Sequence, residues 1–106
     1  MTRSIWLALS LFIVTPLAAS DDISSSRQQE LHNLLIQDCG SCHGLTMRGG
    51  LGPALLPTEL QGKSAEYIST VILNGRPGSA MPAWRSLLSP AEARWIADKL
   101  LQGELQ

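Results

Sequence analysis

Apolar residues recur at the spacing of an amphipathic helix in three stretches of the chain, and loops rich in glycine and proline lie between them. Each helix would need a partner for its apolar side, so the stripes would pack on one another. The stripes consist of Leu31, Leu34 and Leu35; of Ile68, Val71 and Ile72; and of Ala93, Ile96, Ala97, Leu100 and Leu101. The pattern predicts an all-α domain with three main helices.

Local signals at the ends of the first two stripes favour the same helices. Ser26, followed three residues later by Gln29, is a capping-box signature for the first helix. Ser64 can cap the second helix, and Gly75 can end it. The β-branched residues within 67–73 would also suit a strand. The cap, the glycine and the lack of a partner strand favour a helix there.

The third helix has the clearest boundaries. Ser89 is followed by Pro90 and, three residues on, by Glu92, which combines a capping box with a proline at the first helical position. Gly103 follows the last apolar position and predicts the end of the helix.

The beginning of the chain has the composition of an export signal rather than of a folded domain. A basic start at Arg3 precedes an almost wholly apolar run, 5–14, and small residues that suit cleavage follow it. An uncleaved membrane anchor is the alternative, but the uncharged run is shorter than the roughly 20 residues that a spanning helix needs. We therefore expect a cleaved signal peptide over 1–20, a mobile tail over 21–26 and one domain over 27–106.

The domain that would remain after cleavage is small and nearly neutral. Removing Arg3 reduces the eight basic residues to seven, against nine acidic ones, so the net charge is near −2. This balance argues against nucleic acid or an anionic membrane surface as the partner. We expect a monomer without stable membrane insertion. A mature chain of about 86 residues is also small for a stable core built from side chains alone.

The segment Cys39-Gly40-Ser41-Cys42-His43 has the spacing of a c-type haem attachment site. Its two thiols can add to the vinyl groups of one porphyrin, and the adjacent histidine can bind the iron. A disulfide, half of a zinc site and a thioredoxin-like dithiol are the alternatives. Zinc wants four ligands, yet the chain has only two cysteines, and its other histidine is His32. No β-rich run precedes the motif, as a redox dithiol would need.

A second iron ligand is predicted in the loop before the third helix. A thioether favours ferrous iron and raises the reduction potential, and Met81 stands in a glycine- and proline-rich loop beside Pro82. Met1 leaves with the signal peptide, and Met47 lies too few residues past His43 to reach the opposite face readily. Core filler is the alternative role for a lone loop methionine.

Other residues have weaker predicted roles around the same group. The backbone carbonyl of Pro53 is a candidate acceptor for the second ring nitrogen of His43, although an ordinary turn would explain the same residues. Arg76 or Arg85 could pair with a haem propionate. The remaining assignments are haem packing for Leu55, Leu56 and Trp84, and a solvated surface position for His32.

In their order, these parts resemble the small soluble monohaem cytochromes c. The stretches Cys42-His43-Gly44-Leu45 and Asn74-Gly75-x-x-Gly78-x-x-Met81-Pro82-x-Trp84 are more specifically similar to the cytochrome c55x type, which accompanies haem-cd1 nitrite reductase in denitrifying bacteria. The resemblance implies one haem c per chain, with thioethers at Cys39 and Cys42 and iron ligands His43 and Met81. It also implies the small cytochrome c fold.

The implied role is single-electron transfer in the periplasm, not catalysis. The implied redox partner is haem-cd1 nitrite reductase or, alternatively, a protein of haem d1 biosynthesis or of the maturation of that reductase. A ligand-binding or sensor protein is a third possibility, which the lack of acid–base groups disfavours. Four basic loop residues could form a docking face for the partner. They are Arg48, Lys63, Arg76 and Arg85.

Overall fold

A computed structural model describes residues 11–14 and 22–105, and all of its regular structure is helical. In chain order, α1 spans Ser25–Leu34, a π-helical turn spans Leu35–Cys39, and α2 spans Gly40–His43. Two further helices follow, α3 over Ala65–Asn74 and α4 over Pro90–Gln102. The described residues contain no strand. The prediction of an all-α domain with three main helices is confirmed, since α1, the π turn and α2 form one continuous arm.

The predicted export signal falls largely outside the described residues, and the predicted cleavage position lies there too. Among the residues that the structure describes, none of the helices is both long and apolar enough to cross a membrane.

The first helix begins earlier than the capping signature indicates. Ser24, not Ser26, is the cap, and its hydroxyl accepts a hydrogen bond of 3.3 Å from the backbone N–H of Arg27. The expected mobile tail over 21–26 is therefore wrong at its end, because Ser25 and Ser26 are already helical. Three successive serines can each cap a helix, so the pattern of residue types did not distinguish them.

Between α1 and α2 the helix widens for one turn. The backbone N–H of Gly40 donates to the carbonyl of Leu35, five residues back, which is the bond that defines a π helix. The turn keeps Leu31 and Leu35, both 0% exposed, on the core side. Cys39 packs against the same cluster, so the widened turn carries the helix from the core into the cysteine motif.

The core is built mainly where α3 packs on α4, with the inner face of α1 against α4. Its buried residues include the three predicted stripes in large part. They are Leu31, Leu35, Met47, Leu60, Ala65, Ile68, Ile72, Leu73, Leu88, Ala93, Ile96, Ala97 and Leu100. Arg27 also joins α1 to α4, donating to Glu92 through Nε at 2.9 Å and Nη2 at 2.5 Å.

The beginnings and ends of α3 and α4 agree with the sequence signals. The hydroxyls of Ser64 and Ser89 accept from the third backbone N–H beyond them, at 3.0 Å and 3.2 Å. Gly75 ends α3 and Gly103 ends α4, each with a positive φ, 66° and 71°. Together these caps fix the two loops on either side of α3, which form the walls of the site described next.

Candidate haem site

A mostly apolar cavity of about 370 Å³ lies between the cysteine motif, α3 and the two loops that flank α3. Its volume falls within the roughly 300–1,000 Å³ usual for small-molecule and cofactor sites. Cys39, Cys42 and His43 of the motif contribute to its wall, and so does Met81, which is distant from them in sequence. The other lining residues are Asp38, Leu51, Gly52, Pro53, Leu55, Ile68, Val71, Ile72, Arg76, Ser79, Ala80, Pro82, Trp84 and Leu100.

The two cysteines are free thiols on one side of this cavity. Cys42 is exposed, whereas Cys39 is half-buried beside the core. Burial, with a smaller contribution from the negative charge of Asp38, raises the pKa of the Cys39 thiol to about 11. Cys39 is therefore protonated at neutral pH, as the thiol that adds across a vinyl double bond to form a thioether.

The zinc alternative finds no support in the geometry. Within 11–14 and 22–105, no three side chains of the His, Cys, Asp or Glu type lie close enough together to hold a metal ion. His32 is absent from the cavity wall and is partly buried on α1. The structure therefore does not bring the second histidine to the cysteine motif.

His43 is oriented by the loop that follows it. Its Nδ1 lies 2.7 Å from the carbonyl oxygen of Pro53, so Nδ1 donates its proton to that carbonyl. Nε2 is then the unprotonated nitrogen, which is the tautomer that a metal-binding histidine requires. The sequence left two explanations open for Gly52 and Pro53, an acceptor for His43 or an ordinary turn, and the structure shows the hydrogen bond to His43.

Glycine lets that loop approach the histidine ring. A Cβ atom on Gly52 would lie 2.8 Å from both Cε1 and Nδ1 of His43. The backbone N–H of Gly52 donates to the carbonyl of Cys42 at 2.8 Å, and that of Gly49 donates to the carbonyl of His43 at 2.8 Å. The loop therefore folds back onto the motif by main-chain bonds. The sequence showed that glycines were abundant here but not that one of them faces the ring.

Met47 occupies a different place from Met81. Its side chain is 2% exposed and packs in the core, and its backbone has a positive φ of 59°, which is uncommon outside glycine. Its carbonyl accepts from the N–H of Leu55 at 2.9 Å. Met47 thus anchors the histidine loop in the core, while the partly buried Met81 lines the cavity.

Of the two arginines suggested as partners of a haem propionate, only one lines the cavity. Arg76 lines the cavity. Arg85 does not, and its Nη2 donates instead to Oδ1 of Asn74 at 2.6 Å. Trp84 is partly buried and lines the cavity.

These side chains fit a covalently attached haem. Two free thiols, an imidazole with one nitrogen already hydrogen-bonded, and a thioether surround an apolar space, which is the donor set of a c-type haem with soft axial ligation. Cys39 and Cys42 would hold the porphyrin, and His43 and Met81 would face its iron. When bound, haem c supplies a one-electron couple between ferric and ferrous iron.

Comparisons with known sequences lead to the same class of protein. A family model described as "Cytochrome C oxidase, cbb3-type, subunit III" matches residues 26–98. Cytochrome c55X of Pseudomonas aeruginosa is 47% identical over 106 residues, covering 98% of this chain and 89% of that protein. Cytochrome c55X of Paracoccus denitrificans is 50% identical over 100 residues, covering 94% of this chain and 97% of that protein.

Two solved structures are also similar. The c-type cytochrome NirC superposes with a TM-score of 0.76 at 51% identity, covering 78% of this chain and 98% of that one. Dihydro-heme d1 dehydrogenase NirN, solved in complex with DHE, has a TM-score of 0.62 at 37% identity, but only 15% of its chain is covered. The chain belongs to the cytochrome c55X family of small c-type cytochromes, electron-transfer proteins with covalently bound haem c.

Proposed function

We propose that the chain is a periplasmic single-electron carrier that holds one haem c through Cys39 and Cys42, with His43 and Met81 as the iron ligands. The observation that carries the proposal is the meeting of these four side chains on one apolar cavity. The lining residues form no further acid–base pair for catalysis. The wall is suited to holding the haem and to keeping water away from it.

The protein part of the site is suited to transfer with little rearrangement. Pro53 fixes the ring of His43 through Nδ1, and the loop beneath it is tied to the cysteine motif by main-chain bonds. Leu55, Val71 and Ile72 form an apolar part of the cavity wall, which would offer few polar groups to rearrange between the two charge states of a bound iron. Rigid ligands and an apolar shell are what a carrier needs, because reorganisation slows electron transfer.

Replacing Met81 with alanine tests the ligand assignment. We expect the methionine–iron charge-transfer band of the ferric protein to disappear and the reduction potential to fall, because a thioether favours ferrous iron. The haem should stay attached, since both thioethers remain. Met47→Leu is the matched control, a buried methionine off the cavity wall, and should keep both band and potential. An unchanged potential in Met81→Ala would contradict the assignment.

As the acceptor we propose haem-cd1 nitrite reductase, the partner that the family resemblance implies. Stopped-flow mixing of the reduced protein with the purified reductase and nitrite should give fast haem c oxidation coupled to nitrite turnover. Arg48, Lys63, Arg76 and Arg85 are all exposed, so the association rate should fall as ionic strength rises. A rate that is the same at low and high salt would exclude this docking face.

A role in haem d1 biosynthesis is the second candidate. It is favoured by the similarity to part of dihydro-heme d1 dehydrogenase of Pseudomonas aeruginosa, 38% identical over 66 residues, which cover 62% of this chain and 13% of that protein. Slow or absent oxidation by the nitrite reductase, with methionine ligation intact, would favour it. Mixing the oxidised protein with the purified dehydrogenase and its dihydro-haem d1 substrate, and following reduction of haem c, distinguishes the two candidates, because a dehydrogenase passes on the electrons that it takes from its substrate.

A further inference from the structure

The segment that carries Met81 is hydrogen-bonded to the last turn of α3. The backbone N–H of Trp84 donates to the carbonyl of Ile72 at 3.1 Å, and that of Arg85 donates to the carbonyl of Leu73 at 3.2 Å. Carbonyls in the last turn of a helix lack partners within the helix. Segment 81–85 therefore serves as the C-terminal cap of α3, and the position of Met81 is coupled to that helix end.

The two pieces of chain also touch directly at Gly75. A Cβ atom there would lie 2.6 Å from the carbonyl carbon of Pro82 and 2.7 Å from the carbonyl oxygen of Met81. The backbone N–H of Arg76 donates to that same oxygen at 3.2 Å. The main chain from the carbonyl of Met81 onward thus lies against the end of α3 before any contact with a bound group is considered.

One side-chain contact spans this junction. Nη2 of Arg85 donates to Oδ1 of Asn74 at 2.6 Å, and Asn74 is the last residue of α3. Both residues are exposed, and neither lines the cavity. An arginine that is absent from the cavity wall and already donates to an amide oxygen is poorly placed to bind a propionate.

We propose that Asn74 and Arg85 form a latch that keeps Met81 at the iron, with Arg85 a positioning residue that acts through the loop. This rests on the proposed ligation by Met81. A methionine that leaves the iron stays away from it more readily when its segment also moves away from the cavity, and that movement must stretch the bonds to α3. Opening the latch should therefore speed methionine dissociation, most visibly in the ferric state, where the thioether is the weaker ligand.

Imidazole binding to the ferric holoprotein measures this directly, because at saturating imidazole the rate is limited by loss of methionine. We expect Asn74→Ala and Arg85→Ala each to raise that limiting rate about threefold to tenfold, the effect of losing one net hydrogen bond. The double variant should be no faster than either single one, since both remove the same contact. Asn74→Asp keeps the acceptor and adds a charge, so its rate should not exceed that of the unchanged protein.

Amide hydrogen exchange gives a readout that does not involve the iron. The N–H groups of Trp84 and Arg85 should exchange faster in Asn74→Ala, while those inside α4 should not. Arg94→Ala is the control for charge, because Arg94 is exposed and absent from the cavity wall. It should leave the imidazole rate and the exchange of both amides unchanged.

The outcomes separate the latch from the function on which it rests. A ferric protein without the methionine–iron band would overturn the ligation by Met81 and, with it, the latch. A normal band, together with imidazole rates and amide exchange that Asn74→Ala and Arg85→Ala leave unchanged, would overturn the latch alone. A lower potential in Arg85→Ala with no change in Asn74→Ala would do the same, and would return Arg85 to the role of a propionate partner.

Discussion

At the scale of single residues, the orientation of His43 depends on the absence of a side chain next to it. Gly52 does not have a positive φ, so an alanine there would avoid that source of backbone strain, and the nearest atoms to its Cβ would be those of the histidine ring, at 2.8 Å. A real Cβ atom does not approach that closely, and the ring would have to tilt or move away. The hydrogen bond from Nδ1 to Pro53 would be lost or weakened with it.

Gly52→Ala is therefore expected to raise the reduction potential while the haem stays attached. A histidine that no longer donates from Nδ1 is a poorer electron donor through Nε2, and ferric iron loses stabilisation. The expected rise is of the order of 59 mV, a tenfold change in the equilibrium constant of a one-electron couple. Redox titration followed by visible absorbance measures it.

Two controls show whether the ring contact is responsible. Pro53→Ala keeps the carbonyl acceptor and should leave the potential near its original value. Gly62→Ala places a side chain at a positive φ of 78° with nothing within 4 Å, so it strains the backbone without touching the site. If Gly62→Ala shifts the potential as far as Gly52→Ala does, the effect is one of general destabilisation and not of histidine orientation.

At the scale of secondary-structure elements, the stability of the N-terminal helix α1 depends on which serine caps it. The hydroxyl of Ser24 accepts from the N–H of Arg27, whereas Ser26, which the sequence favoured, lies inside the helix. Ser24→Ala should lower the free energy of unfolding by about 1 kcal/mol, the usual cost of a lost cap. Ser26→Ala should cost nothing or stabilise slightly, because alanine is the better helix former. Denaturant unfolding of the two holoproteins, followed by circular dichroism, compares them, and equal losses would contradict the cap.

Helices α3 and α4 could be predicted from the sequence because periodicity, caps and terminal glycines agreed for both of them. For α1 the periodicity sufficed to predict a helix, although the cap signature pointed two residues too far along the chain. The π turn before Cys39 could not be predicted, since it follows from how Leu31 and Leu35 pack and not from any local preference of residues 35–39. The ion-pair partner of Glu92 could not be predicted from the sequence either. Its side chain pairs with Arg27, 65 residues away, instead of closing the capping box that residue spacing suggested.

In the site, too, features set by local sequence could be predicted, and those set by tertiary packing could not. Cys39, Cys42 and His43 could be named because their spacing is itself the chemical requirement, and Met81 by its place in a rigid loop. The contact of Arg85 with Asn74 depends on how segment 81–85 meets the end of α3. Contacts of that kind arise from tertiary packing, and no pattern in the sequence of the loop encodes them.

At the scale of the whole molecule, the cavity borders the protein's own core. Ile68, Ile72 and Leu100 belong to the buried cluster and also line the cavity, so each depends on the bound group for part of its packing. A single small domain buries little apolar surface to compensate for a cavity of about 370 Å³. The haem is therefore expected to complete the core as well as to carry the electron.

Replacing both cysteines with alanine tests that expectation. The double variant Cys39→Ala with Cys42→Ala should contain no covalent haem, and we expect it to be largely unfolded because α3 and α4 lose the group that they share with the histidine loop. Far-UV circular dichroism and a denaturant titration measure this, and Met81→Ala, which keeps both thioethers, is the control that should stay folded. A compact double variant with a cooperative unfolding transition would show that α1, α3 and α4 suffice to form the core, and that the cofactor contributes to electron transfer without determining the fold.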